Sequence, residues 1–145
     1  MVTDIELLRE GGKALGLTLT SRQLEQFIKY KDFTLEVNKT MNLTSIKDDK
    51  EFIIKHFLDS LTLSKIWNFH NNDRVLDMGT GAGFPGIPLK ILYPRTSFVL
   101  VDSLNKRTFI RHFSNLSYFM GFLVGIPDFL GYFVGVLLIF LIINI

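Results

Sequence analysis

Between Asp77 and Gly86 the chain reads Asp-Met-Gly-Thr-Gly-Ala-Gly-Phe-Pro-Gly, and a short apolar run downstream of it ends in Asp102. Glycines at 79, 81, 83 and 86 admit positive backbone angles and put no side chain between the main chain and a ligand. Their amides, at the start of a following helix, are placed to meet an anionic group with the help of the helix dipole. Asp102 lies 21 residues after Gly81, where a carboxylate can accept hydrogen bonds from both hydroxyls of a ribose. Loop and acid together point to an adenosine-type cofactor. The spacing Gly81-x-Gly83-x-x-Gly86 also satisfies the dinucleotide fingerprint, so on these residues alone a nicotinamide-dependent oxidoreductase stays open.

Other chemistries are excluded or left bland. The chain has no cysteine, which removes disulfides, thiolate zinc sites and covalent catalysis through sulfur. His56, His70 and His112 are scattered without metal-ligand spacing, so no metal is expected. His56 and Asp59 fall three apart on one face of an expected helix, and a surface hydrogen bond or a packing role is the expectation there rather than catalysis. Lys106 and Arg107 read as a solvated basic pair with RNA phosphates as the alternative. Residues 1 to 112 hold all 16 Lys and Arg and 13 of the 14 Asp and Glu, a net of +3, too small to predict a polyanionic partner by itself.

The elements that must carry the loop are legible from caps and periodicity. Thr3 with Glu6 forms a capping-box pattern ahead of Ile5, Leu7 and Leu8, and Gly11-Gly12 is expected to close that short helix. Thr20 with Gln23 repeats the spacing, and Leu24, Phe27, Ile28, Tyr30, Phe33, Val37 and Met41 recur at helical intervals through a long amphipathic helix. Asp48 with Glu51 caps a third helix carrying Ile53, Ile54, Phe57, Leu58 and Leu61. These aromatics are expected to be core. After the polar turn His70-Asn71-Asn72-Asp73 comes a strand over 74–79, the glycine loop, a helix over 85–93 with Pro85 and Pro88 in its first turn, and a second strand over 97–102. Ser103 is expected to cap a further helix through Lys106, Arg107 and Ile110. Strand, glycine loop, helix, strand is the opening of a nucleotide-binding α/β sheet.

Asp77 two residues before Gly79 gives Asp-x-Gly-x-Gly-x-Gly, a pattern that resembles the S-adenosylmethionine loop of class I methyltransferases. Three further blocks stand in register with it: Asn42-Leu43-Thr44-Ser45, Lys55-His56-Phe57-Leu58-Asp59-Ser60-Leu61, and Val101-Asp102-Ser103-Leu104-x-Lys106-Arg107. With Val75-Leu76-Asp77-Met78-Gly79-Thr80-Gly81-Ala82-Gly83-Phe84-Pro85-Gly86-Ile87-Pro88-Leu89, they resemble the bacterial small-subunit ribosomal RNA guanine-N7 methyltransferase family, also called glucose-inhibited division protein B. The resemblance covers roughly residues 3 to 110. It implies an α/β class I, Rossmann-like methyltransferase fold with a helical N-terminal extension over 1–66, the first part of the cofactor-binding domain over 67–112, and a sheet left incomplete. It implies S-adenosylmethionine as cofactor, contacted at Gly79 and Phe84, with Gly81 and Gly83 as loop residues and Asp102 as the ribose ligand. The implied substrate is a guanine of 16S ribosomal RNA in the small subunit, the implied form a monomer in the cytoplasm; no catalytic residue is assigned.

From Phe113 to Ile145 the composition changes, with Asp128 the single charge. Phe129 to Ile145 is 17 residues without a charge, at the lower bound for crossing a bilayer, about 17 to 25 residues. A shifted reading frame beginning near Thr108 to His112 is the first expectation for this tail. A membrane anchor is the second, which would make the chain a small tethered protein without catalysis, and a divergent completion of the domain is the third. With two strands only, the cleft would have one wall and an unpaired edge strand, so little methyl transfer and poor solubility are expected.

Overall fold

The computed structural model describes residues 2–102 and 109–113. Helix α1, Asp4–Ala14, starts on a complete capping box: Glu6 N donates to Thr3 Oγ1 at 3.2 Å and Thr3 N donates back to Glu6 Oε2 at 2.8 Å. The glycine pair does not end it, contrary to the sequence reading. Gly11 and Gly12 are places of close approach, where a Cβ would overlap Leu58 and crowd Leu19. The stop comes at Gly16, whose φ of +72° suits a residue without a Cβ. Helix α2, Ser21–Met41, begins on the second box, Thr20 with Gln23, and ends at Asn42 in the left-handed region.

The third helical segment, α3, begins where Asp48 Oδ1 accepts from Glu51 N at 2.9 Å. It is not one regular helix. Asp49–Phe52 is α-helical, Ile53–Leu58 is π-helical, Asp59–Leu61 is α-helical and Thr62–Lys65 is 3-10.

One buried lysine pins the three segments together. Lys31 of α2, 3% exposed at its side chain, reaches Asp4 at 2.7 Å and Asp49 at 2.5 Å, with Asp32 at 3.2 Å. Burial opposes its charge, but the three carboxylates outweigh that and hold the ammonium above its ordinary pKa. Asp32 and Asp49 are more than half exposed, so water would recover part of their solvation once the lysine is gone. Lys31→Met is therefore expected to cost about 2 kcal/mol, below the 3–5 of a fully buried pair. A urea midpoint unchanged from the parent would show that the pin carries no net stability.

The sheet has three strands in the order β1-β2-β3. β1 is Arg74–Met78 and β2 is Ser97–Asp102, parallel, in register from Arg74 opposite Ser97 to Met78 opposite Val101. The crossover between them is helix α4, Gly86–Leu92. β3, Phe109–Phe113, runs antiparallel to β2, from Phe98 opposite Phe113 to Asp102 opposite Phe109. Two expectations are corrected here. Ile110 lies in a strand rather than a helix, because pairing with Val101 satisfies its backbone across the sheet. The far edge of β2 is therefore paired, and the described sheet has three strands, not two. Residues 103–108 and 114–145, which carry Lys106, Arg107 and most of the tail, lie outside the described residues.

Among the described residues one face of this sheet is covered and the other is not. Phe98 and Leu100 are buried on the α4 side, in a single core that also contains Leu8, Phe27, Phe57, Ile87 and Leu89. On the opposite face Leu76 is 58% and Met78 75% exposed. No helix among the described residues is long and apolar enough to cross a membrane.

Candidate cofactor site

The glycine loop is fastened at both strand ends. Gly79 N and Thr80 N both donate to Val101 O, at 2.8 and 3.2 Å, so β1 leaves the sheet leaning on β2. Asp77 Oδ2 accepts from Thr80 Oγ1 at 2.7 Å and from Gly86 N at 2.9 Å, closing the loop onto the strand that launches it. Gly83 N and Phe84 N donate to Thr80 O, and Ile87 N donates to Gly83 O at 2.8 Å. Gly81 N donates to the carboxylate of Asp102. The peptide bond between Phe84 and Pro85 is cis.

These bonds bring Gly79, Gly81, Gly83, Phe84 and Asp102 into one corner at the carboxyl ends of β1 and β2, where open α/β sheets bind ligands. They also change what the loop can do. The sequence reading expected free amides at a helix N-terminus to hold an anion. The structure instead gives the amides of Gly79, Thr80, Gly81, Gly83, Phe84, Gly86 and Ile87 acceptors within the chain. A pyrophosphate would have to break these bonds; a nucleoside ligand without phosphate would not.

The glycines divide into two kinds. A Cβ at Gly79 or Gly81 would meet nothing within 4 Å, so their bare backbone borders open space. A Cβ at Gly83 would overlap Ile87 and crowd the Tyr30 hydroxyl, and one at Gly86 would overlap Leu100 and Asp77. Gly83 and Gly86 are absent of side chains for packing, whereas Gly79 and Gly81 fit close approach of a ligand. Asp102 uses Oδ2 for Gly81, which leaves Oδ1 at the strand end without a protein partner among the described residues.

The wall behind the loop comes from the N-terminal helices, and sequence reasoning missed it. Tyr30 of α2 donates from Oη to Ala82 O at 2.6 Å, across 52 residues of sequence. Phe84 lies among Tyr30, Phe52 and Phe57, with ring centroids at 5.5, 5.7 and 6.2 Å. Gln23, already the partner of Thr20, also donates from Nε2 to Ile91 O at 3.0 Å and Leu92 O at 3.2 Å, capping the end of α4. The only local signal for these roles is a helical stripe, which reads as core.

His56 is joined to Thr44 and Phe84 rather than to Asp59. Nε2 lies 2.8 Å from Thr44 Oγ1, and the ring stacks on Phe84. Burial lowers its pKa below the ordinary 6.5, with the Asp59 charge opposing in part. A base whose folded pKa is depressed binds fewer protons folded than unfolded, so its stabilising contribution holds above 6.5 and is lost as pH falls through the folded value. The urea midpoint should therefore drop between about pH 7.5 and about pH 5.5, and His56→Phe should flatten that drop. An equal drop in the variant would assign it to other groups.

A model of the family described as rRNA small subunit methyltransferase G matches residues 23–117. The chain is 56% identical over 98 residues to a protein named ribosomal RNA small subunit methyltransferase G from Lachnoclostridium phytofermentans, covering 68% of this chain and 40% of that one. Proteins of the same name from Alkaliphilus oremlandii and Caldanaerobacter subterraneus subsp. tengcongensis are 48% identical over 102 residues and 43% over 119. Those alignments cover 70% and 81% of this chain, and 43% and 50% of the relatives. The chain thus spans between two fifths and one half of the length of these relatives. Its α/β architecture is the opening of a class I S-adenosylmethionine-dependent methyltransferase fold, with the sheet incomplete among the described residues. With strand, closed glycine loop, crossover helix and strand-end acid in that order, the chain belongs to the rRNA small subunit methyltransferase G family.

Proposed function

We propose that this chain carries the cofactor-binding opening of a methyltransferase that uses S-adenosylmethionine to methylate N7 of a guanine in 16S ribosomal RNA. The observation that carries the reading is the glycine loop closed on Asp77 and Asp102, with the amides of Gly79, Thr80, Gly81, Gly83, Phe84 and Gly86 spent internally and open space over Gly79 and Gly81. That corner suits a nucleoside without phosphates and disfavours a dinucleotide. The relatives' names supply the substrate class, small-subunit ribosomal RNA. In this reading Asp102 Oδ1 accepts from the ribose hydroxyls, Gly79 and Gly81 let the backbone approach, Gly83 shapes the turn, and Phe84 forms the wall. The cofactor supplies an electrophilic methyl group on a sulfonium.

The residues agree with attack by N7. That nitrogen holds a free lone pair in neutral guanine, so no general base has to remove a proton first. In the described corner Asp77 clasps the loop, His56 is tied to Thr44, and the remaining oxygen of Asp102 is given to the ribose in this reading. Catalysis is then a matter of holding nucleophile and methyl carbon in line. Residues 1–66 act as the helical extension and 67–112 as the first part of the cofactor domain, on a monomer meeting the small ribosomal subunit in the cytoplasm. The tail over 113–145 is out-of-frame sequence in this proposal. Translating the other frames of the gene past codon 105 should restore family sequence, and finding none there would reject that origin.

Titrating S-adenosylmethionine into the chain is the direct test. With one wall of the cleft described, half-saturation is expected only at about 1 mM, near 4 kcal/mol of binding free energy. The amide resonances of Gly79, Gly81, Phe84 and Asp102 should move, and NADH should not move them. Shifts elsewhere, or displacement by NADH, would overturn the reading. Methyl label passed to small subunits should be slight and should sit where borohydride and aniline cleave the RNA, the signature of N7; label resistant to that cleavage rejects N7.

A further inference from the structure

One ring joins the helical extension to the candidate cofactor loop. His56, half-buried in the π-helical stretch of α3, lies flat on Phe84, with centroids 4.3 Å apart and planes 9° from parallel. Its edge meets Phe52 at 4.8 Å and 72°. Its Nε2 is held by Thr44 Oγ1 at 2.8 Å. Thr44 is itself fixed by one side chain on both of its main-chain groups, Asn38 Nδ2 donating to Thr44 O at 2.9 Å and Thr44 N donating to Asn38 Oδ1 at 2.8 Å.

The tautomer follows from which partner donates in the Thr44–His56 contact. Thr44 Oγ1 accepts from Ile46 N at 3.2 Å and keeps its own proton to donate, and the arrangement taken here gives that proton to Nε2. An imidazole that accepts at Nε2 carries its proton on Nδ1. Packing alone does not call for this arrangement, because a phenylalanine would cover Phe84 equally well. What the hydrogen bond adds is a fixed rotation of the ring, and through the stack a fixed plane for Phe84.

We propose that His56 is a positioning residue for cofactor binding: held by Thr44, it sets the plane of Phe84 and with it the turn at Gly81 to Gly83. The helical extension then takes part in the site through Asn38, Thr44 and His56 in series. This role rests on the reading of the loop as an S-adenosylmethionine site.

The test compares Thr44→Val, which keeps the shape and loses the hydroxyl, with Thr44→Ser, which restores it. His56→Phe keeps the stack and loses the bond. In the ligand-free chain, nitrogen NMR of the imidazole should report Nδ1–H in the parent and in Thr44→Ser, and a mixture in Thr44→Val. The Phe84 ring resonances should move in Thr44→Val and in His56→Phe. On titration with S-adenosylmethionine, affinity should fall about tenfold in both of these and stay at the parent value in Thr44→Ser. Circular dichroism and the thermal midpoint report folding; should Thr44→Val fail to fold, His56→Phe carries the same comparison. Parent affinity in the folded variant lacking the Thr44 bond overturns the proposal while leaving the cofactor reading intact. Loop resonances in the parent that ignore S-adenosylmethionine overturn the cofactor reading and this role with it.

Discussion

Phe57→Ala is expected to lower stability by about 4 kcal/mol, within the range of large-to-small changes at fully buried aromatics. The ring has no exposure, and it is the hub of the aromatic cluster: Phe27 lies at 4.9 Å, Phe52 at 5.3 Å, Tyr30 at 5.7 Å and Phe84 at 6.2 Å. Those neighbours sit on α2, α3 and the glycine loop, so no single shift of one element can refill the space. Native domains are stable by about 5–15 kcal/mol in total, so the loss would take between roughly a quarter and four fifths of that. A urea transition should move to a far lower midpoint, with Phe57→Leu in between. A loss under about 1 kcal/mol in Phe57→Ala would mean that the cluster collapses around the gap, contrary to the packing described.

Asp77→Ala should cost about 3 kcal/mol and act at the loop. Its carboxylate oxygen serves Thr80 Oγ1 and Gly86 N together, and hydrogen bonds to charged groups are worth about 1.5–3 kcal/mol each. Removing it also strands the Gly86 amide, which is buried at the start of α4 and whose acceptor among the described residues is this carboxylate. Asp77→Asn keeps an acceptor oxygen and should lose about half as much. Hydrogen exchange reads the local effect: the Gly86 amide should lose its protection in Asp77→Ala before the amides of α2 do. Protection equal to the parent would show that α4 starts without the clasp.

The features legible in the sequence are those whose partner lies within a few residues. Thr3 with Glu6, Thr20 with Gln23 and Asp48 with Glu51 each cap the helix that their spacing announces. The span of β2 and the positive backbone angles at Gly79, Gly81 and Gly83 follow equally from local composition. What the sequence withheld is decided by distant groups. Gly11 and Gly12 look like a helix stop until Leu58 and Leu19 are seen against them. Ser103 looks like a helix cap, but the backbone from Phe109 answers to β2 instead. Lys31 falls in line with Leu24 and Phe27 on the buried face of α2, and nothing nearby in the chain tells that Asp4 and Asp49 will close over it. At the candidate site, the acid and the glycines picked out by spacing come together in one corner. Spacing does not pick out the supports, because Tyr30 and Ala82 are brought together only by the packing of α2 on the loop.

The hydroxyl of Tyr30 on the carbonyl of Ala82 also bears on the order in which this molecule is made. Translation delivers α1 to α3 before the glycine loop, and chains fold from the N-terminal side as they emerge. Tyr30, Phe52 and Phe57 therefore emerge before Gly79 does, and can meet one another first. The loop, short and rich in glycine, then has a surface to close against and need not find its shape unaided. The corner proposed for the cofactor is in this sense templated by the helices that precede it.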